Sequence, residues 1–157
     1  MYRRHFALVA LVGSLVVVGT GTAAQQASYP VFEVAHLVGT MKTLGPNFMA
    51  IDRSLADQDY ATAKERITRA REQLFPTVTF WRDRERNDAI SFLQDAVTRM
   101  DALDAALSVD TVDAGAVTAL AREIGAACRA CHEVYREQDP VTQEYRLKLS
   151  AAGQPSR

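Results

Sequence analysis

The stretch VTALAREIGAACRACHEVY, residues 117–135, decides which kind of fold this chain adopts. Its apolar residues recur at steps of three and four, which is the period of an amphipathic α-helix with one buried face. They are Val117, Leu120, Ile124, Cys128, Cys131 and Tyr135. Both cysteines of the protein lie on this stripe, and His132 directly follows the second one. The face that packs against a core therefore also carries reactive groups, which indicates a site.

The same helical period recurs in three earlier segments, residues 34–55, 60–74 and 80–107. Pro46 interrupts the first of them and predicts a kink or a tightened turn, because proline has no backbone N–H to donate. Asp113 is placed to act as the N-cap of the fourth helix. No alternating run bounded by turn residues predicts a strand. Four helices of about four to seven turns with short connections predict an all-α fold, an antiparallel four-helix bundle.

The N-terminus has the order of a secretory signal. The basic segment MYRRH is followed by the apolar run FALVALVGSLVVVG and by the small residues TGTAA. An uncleaved anchor is the alternative, because residues 6–24 could nearly span a bilayer. The short run and its small-residue end favour cleavage after residue 24 and a periplasmic protein that begins at Gln25. No other stretch approaches a membrane span. Three parts follow: a signal peptide at 1–24, the bundle at 25–138, and a frayed tail at 139–157 with at most one helical turn.

Composition and charge exclude several classes of protein. The chain has 157 residues, 48% of them apolar and 24% charged, which fits one globular domain. Export would remove Arg3 and Arg4 from the 18 basic residues, leaving 16 against 19 acidic residues and a net charge of −3. Such a chain has no strong basic field, so we expect no nucleic acid as a partner.

On a helix, Cys128, Cys131 and His132 stand at i, i+3 and i+4 and project from one face. A structural zinc site needs four ligands, usually as two separated pairs, and here only His36 lies far upstream as a fourth candidate. A thioredoxin-like redox pair should follow a strand in a βαβ pattern, and no strand is predicted. The third alternative is covalent attachment of a c-type haem, for which C-x-x-C-H is the signature. The motif, the export signal and the helical context together favour haem.

The run CRACHEVYR on the last of four helices in an exported chain resembles the cytochrome c-prime family. The resemblance covers about residues 30–138 and is specific only around 126–136 and 40–45. It implies thioether links at Cys128 and Cys131, His132 as the proximal iron ligand, and one haem c between the helices near one end of the bundle. It also implies a periplasmic protein that is often a homodimer.

Two arginines flank the predicted iron ligand. Arg129 and Arg136 are similar to the positively charged neighbours of the haem in that family. The alternative is that each is an ordinary solvated arginine. Tyr135 is interpreted as core packing.

The sixth iron position decides between two functions. The stretch TMKTLG, residues 40–45, resembles the methionine-ligated branch of the family, which implies Met41 as the second axial ligand. Met41 could instead be core filler, and Met49 is the weaker candidate. His36 lies about 140° around the helix from Met41, so only one of the two can face the iron. The family commonly has an arginine one turn before the distal residue, where this chain has Leu37.

Two functions follow from these ligand sets. If His132 and Met41 both bind the iron, the protein is an electron carrier that exchanges electrons with redox partner proteins. With the sixth position open, it binds nitric oxide or carbon monoxide. A structural bundle with a vestigial haem is a third, weaker alternative, and no motif indicates an enzyme. The charged run FWRDRERND, residues 80–88, is either a solvated helix start or a docking surface for a redox partner.

Overall fold

The structure, a computed structural model, describes residues 33–154, so the predicted signal peptide at 1–24 and the predicted mature start at Gln25 lie outside the described residues. Four long helices dominate this part of the chain, and the predicted all-α class is confirmed at that level. They are α1 (Val34–Ala56), α2 (Tyr60–Leu74), α4 (Asn87–Ala106) and α5 (Ala114–Tyr135). A 3₁₀ turn, Phe75–Thr77, and a short helix α3, Val78–Asp83, join α2 to α4.

The long helices bury one apolar face each. Helix α1 packs against α2 and α5, and α4 packs against the same two helices. One side chain from each helix is essentially inaccessible to water: Ile51, Ile67, Leu103 and Ile124. Burying an aliphatic side chain of this size stabilises a fold by about 1.5–3 kcal/mol. The predicted apolar stripes therefore supply the core.

Helix α1 runs through Pro46 without ending there. The first segment is one continuous helix, which goes on for another ten residues to Ala56. Proline removes one backbone donor, which leaves the carbonyl of Lys42 without its helical partner. Both Lys42 and Pro46 are exposed, so water can bind that carbonyl. The apolar residues before and after Pro46 therefore belong to one helix and pack into the same core.

The third predicted segment is two helices rather than one. Helix α3 ends at Asp83, and Glu85 takes a left-handed conformation, φ 55°, before α4 begins at Asn87. Arg84 is buried at this break, where its guanidinium carbon lies 3.7 Å from the centroid of the Phe80 ring. Phe80, Trp81 and Arg84 of the run 80–88 are therefore buried, while its other charged residues are exposed or half-buried.

The described chain after α5, residues 136–154, contains two strands and a short helix where a frayed tail is predicted. Strand β1 (Arg136–Gln138) pairs antiparallel with β2 (Tyr145–Leu147), and helix α6 (Leu149–Ala152) follows. The Asp139 carboxylate accepts hydrogen bonds from the backbone N–H groups of two turn residues at 2.9 and 3.0 Å. Strands of three residues are too short to show an alternating pattern, which is why the periods predict no strand.

The N-cap of α5 is as predicted, because the Asp113 carboxylate accepts hydrogen bonds from the backbone N–H groups of Gly115 and Ala116 at 2.8 and 3.0 Å.

Within residues 33–154, no helix has both the length and the apolar content needed to cross a bilayer.

Candidate functional site

Helix α5 turns its two thiols and its imidazole towards the inside of the protein. Cys128, Cys131 and His132 are each half-buried, on the face that continues the buried stripe from Ile124. Cys131 and His132 form part of the wall of two neighbouring cavities, and Cys128 lines the smaller one. The structure therefore brings the three predicted site residues to open space inside the fold.

The two cavities have volumes of about 430 and 230 Å³ and share part of their lining. The shared residues come from three helices: Met41, Gly45, Leu93, Cys131 and His132. The larger cavity extends towards Trp81 and the C-terminal hairpin. The smaller one extends between Phe48 and Phe92. Cofactor pockets in proteins occupy about 300–1,000 Å³, so the two together have the size of a cofactor site.

Of the three candidates for a second ligand, Met41 is the one that lines both cavities. It is half-buried on α1 and lines both cavities together with His132. Met49 lines only the smaller cavity and is 67% exposed. His36 is exposed and lines neither cavity, so it takes no part in this site. Leu37, in the place of the family's arginine, is buried and lines the larger cavity.

Burial sets the protonation of the α5 groups. It raises the pKa of the Cys128 thiol, and together with the Cys128 and Asp88 charges it raises the pKa of Cys131 to about 12. It also lowers the pKa of His132, with a smaller contribution from Arg136. At neutral pH the imidazole is therefore uncharged, which leaves a nitrogen lone pair free to bind a metal.

The state of the two thiols bears on the alternatives to haem attachment, which are a redox pair and a structural zinc site. Catalytic redox cysteines have lowered pKa values, because the thiolate is the reactive form, whereas burial has the opposite effect here. The two thiols are free and form no disulfide. Within the described residues, no group of three or more His, Cys, Asp or Glu side chains is placed to hold a metal ion between them, and a structural zinc needs four ligands.

The larger cavity has a tertiary cluster that the sequence patterns do not reveal. The ring centroids of Trp81 and Tyr135 lie 4.5 Å apart, and the Tyr135 hydroxyl donates a 2.6 Å hydrogen bond to the Asp88 carboxylate. Both rings line the larger cavity. Tyr135 is therefore a core residue, as predicted, whose hydroxyl also binds Asp88. The sequence feature that could have pointed to this cluster is the single tryptophan in the charged run 80–88.

The Tyr135–Asp88 hydrogen bond gives a test of this cluster. We expect Tyr135→Phe to lower the free energy of unfolding by about 1 kcal/mol at neutral pH, since a net hydrogen bond is lost while Asp88 stays solvated. The bond lowers the pKa of Asp88 below its ordinary 3.8. Its contribution is present above that value and disappears as the pH falls through the lower pKa of the folded state.

Urea unfolding of both proteins at neutral and at acid pH measures this difference. Tyr145→Phe is the matched control, because Tyr145 is exposed and its hydroxyl forms no hydrogen bond within residues 33–154. A stability difference that persisted unchanged in acid would show that the Tyr135 hydroxyl acts through another group.

The two flanking arginines differ in position. Arg129 is exposed and lines neither cavity. Arg136 lines the larger cavity, where its guanidinium carbon lies 4.1 Å from the centroid of the Tyr145 ring. Lys42 is a second cation in that lining. Neither Lys42 nor Arg136 forms an ion pair within the described part of the chain, so both side chains are available to bind an anionic group.

Comparison with protein-family models, with curated proteins and with solved structures finds no match to this chain.

Proposed function

We propose that this chain is an exported c-type cytochrome that holds one covalent haem and transfers electrons. The observation that carries the proposal is the position of the C-x-x-C-H residues. Cys131 and His132 form a common wall of two cavities, with Cys128 beside them and Met41 on the neighbouring helix α1 lining the same two cavities. This arrangement supports the attachment of a planar cofactor to α5.

The residues present fit a haem in three respects. Gly45 lines both cavities, and an added Cβ there would meet no atom within 4 Å, so the lining leaves room for a flat group. The Trp81 indole nitrogen is buried and has no hydrogen-bond acceptor among residues 33–154. Lys42 and Arg136 are cations with no ion-pair partner in this part of the structure. The apolar face of a haem would match the apolar lining of the cavities. Its two carboxylates would match the donor groups of Trp81, Lys42 and Arg136.

The chain's own groups have defined roles in this proposal. Each thiol, Cys128 and Cys131, would add across one vinyl group, with sulfur bonding to one carbon and hydrogen to the other, so attachment needs no oxidant. When bound, the haem supplies a one-electron iron couple. The neutral imidazole of His132 would ligate the iron. The Met41 thioether would be the second ligand to the iron and would favour the reduced state.

The wider proposal follows the resemblance to the cytochrome c-prime family. The contacts of α1 with α2 and α5, and of α4 with the same two helices, support an antiparallel four-helix bundle. Export to the periplasm supports covalent attachment, because c-type maturation takes place there. The partners would be redox proteins that dock transiently, and the chain could form a homodimer as members of that family often do.

Expression with haem-maturation machinery tests the proposal. We expect an intact mass that exceeds the polypeptide by one haem, and optical spectra of a low-spin iron in both oxidation states. A periplasmic product with the bare polypeptide mass would overturn the assignment. The spectrum also reports the sixth ligand, because a sulfur-to-iron band appears only when a thioether is bound.

One observation favours the gas-binding alternative. The smaller cavity, beside Met41, is lined almost entirely by apolar groups from α1, α4 and α5, among them Phe48, Phe92 and Met100. An apolar pocket next to an open iron position would suit nitric oxide or carbon monoxide. A high-spin ferric spectrum of the wild-type protein would favour this function over electron transfer.

A further inference from the structure

The chain beyond α5 forms one wall of the larger cavity. Residues 143–147, which include strand β2, line that cavity opposite the bundle helices. Strand β1 continues directly from α5, whereas β2 lies against α1. The C-terminal cap, defined here as residues 136–153, therefore crosses from the helix that carries His132 to the helix that carries Met41.

The cap has internal contacts that keep its shape. The two strands pair with Arg136 opposite Leu147 and Gln138 opposite Tyr145. Arg146 donates to Glu137 at 2.8 Å and to Asp139 at 3.1 Å. A two-stranded hairpin alone is only marginally stable in water. The cap therefore depends on its attachment to the bundle.

Three contacts attach the cap to the helices. The Lys148 backbone N–H donates a 2.8 Å hydrogen bond to the carbonyl of Tyr135, the last residue of α5. Ala152 on α6 is fully buried where α6 packs on α5. Gly153 has φ 78° and ψ 177°, a conformation nearly restricted to glycine. An added Cβ at Gly153 would lie 2.8 Å from Arg86, so this turn fits closely against the segment before α4.

We propose that the C-terminal cap completes the cofactor site and sets how far water reaches the bound group. This inference rests on the proposed function. Leu147 is half-buried against the core and, with Tyr145, lines the larger cavity. Excluding water disfavours the more highly charged ferric state, so a closed cap raises the reduction potential. The cap would thus act on the potential without supplying an iron ligand.

Two full-length variants of the haem-loaded protein test the cap. Ala152→Glu places a carboxylate in a fully buried position of α6 and should displace the cap. Ser150→Glu adds the same charge to an exposed position of the same short helix and is the matched control. Gly153→Ala adds no charge and loosens the attachment through backbone strain and the close approach of its Cβ to Arg86. It covers the case in which Ala152→Glu fails to fold.

The measurements are intact mass, hydrogen exchange of the backbone amides at 145–148, and the midpoint potential. For Ala152→Glu and Gly153→Ala we expect unchanged haem mass, faster exchange at 145–148 and a lower potential. Ser150→Glu should match the wild type in all three. Faster exchange with an unchanged potential would show that the cap does not control the access of water to the site. Unchanged exchange would show that the cap is not attached through α6. Absence of haem mass in the wild type would instead defeat the proposed function itself.

Discussion

The double variant Cys128→Ala/Cys131→Ala is expected to carry no covalent haem at all. The two thiols are the only ones in the protein, so no other side chain can form a thioether bond. His132 and Met41 would hold any haem only through reversible bonds to iron. Intact-mass measurement under denaturing conditions, after expression with haem-maturation machinery, distinguishes the two proteins because a thioether bond survives denaturation.

Arg129→Ala is the matched control for the double variant. Arg129 lies between the two cysteines in sequence, yet it is exposed and lines neither cavity. We expect this variant to retain the full haem mass. If the double cysteine variant also kept that mass through denaturation, the attachment through Cys128 and Cys131 would be wrong.

The Met41→Ala variant should convert a low-spin ferric iron to a high-spin one and open it to external ligands. In the wild type, a bond from the thioether to iron must break before carbon monoxide can bind, whereas the variant has no such bond. The reduction potential should also fall, because the thioether stabilises ferrous iron. Optical spectra, carbon monoxide binding and redox titration measure the three effects.

Met49→Ala removes an equivalent side chain eight residues further along α1. Since Met49 is 67% exposed, its truncation should change stability by no more than about 0.5 kcal/mol and leave the spectrum unaltered. A wild-type spectrum that is already high-spin, and that Met41→Ala leaves unchanged, would remove the support for electron transfer and favour the binding of diatomic gases.

The sequence predicts those features of the fold that depend on a helical period. The stripe from Val117 to Tyr135 predicts both helix α5 and the inward face on which Cys131 and His132 line the cavities. The same reasoning separates Met41 from His36, because 140° around a helix divides the cavity side from the solvent side.

The features that the sequence does not predict depend on short elements and on contacts distant along the chain. The strands of the cap have three residues each, which is too few for a period to emerge. The Tyr135–Asp88 hydrogen bond joins residues 47 positions apart, and no local pattern specifies such a pair. Pro46 does not end helix α1, because the exposed carbonyl that loses its helical partner can be satisfied by water.

The position of Trp81 gives the protein an intrinsic fluorophore at the site itself. The chain has a single tryptophan, so the whole indole emission comes from the wall of the larger cavity. The ring is 2% exposed and its nitrogen has no hydrogen-bond acceptor in the described structure, which places the emission of the free polypeptide at the short-wavelength end of the tryptophan range. A haem in the adjoining space would take up that excitation energy at contact distance. If the proposed haem is bound, the tryptophan fluorescence that remains in a preparation would report the fraction of molecules without it.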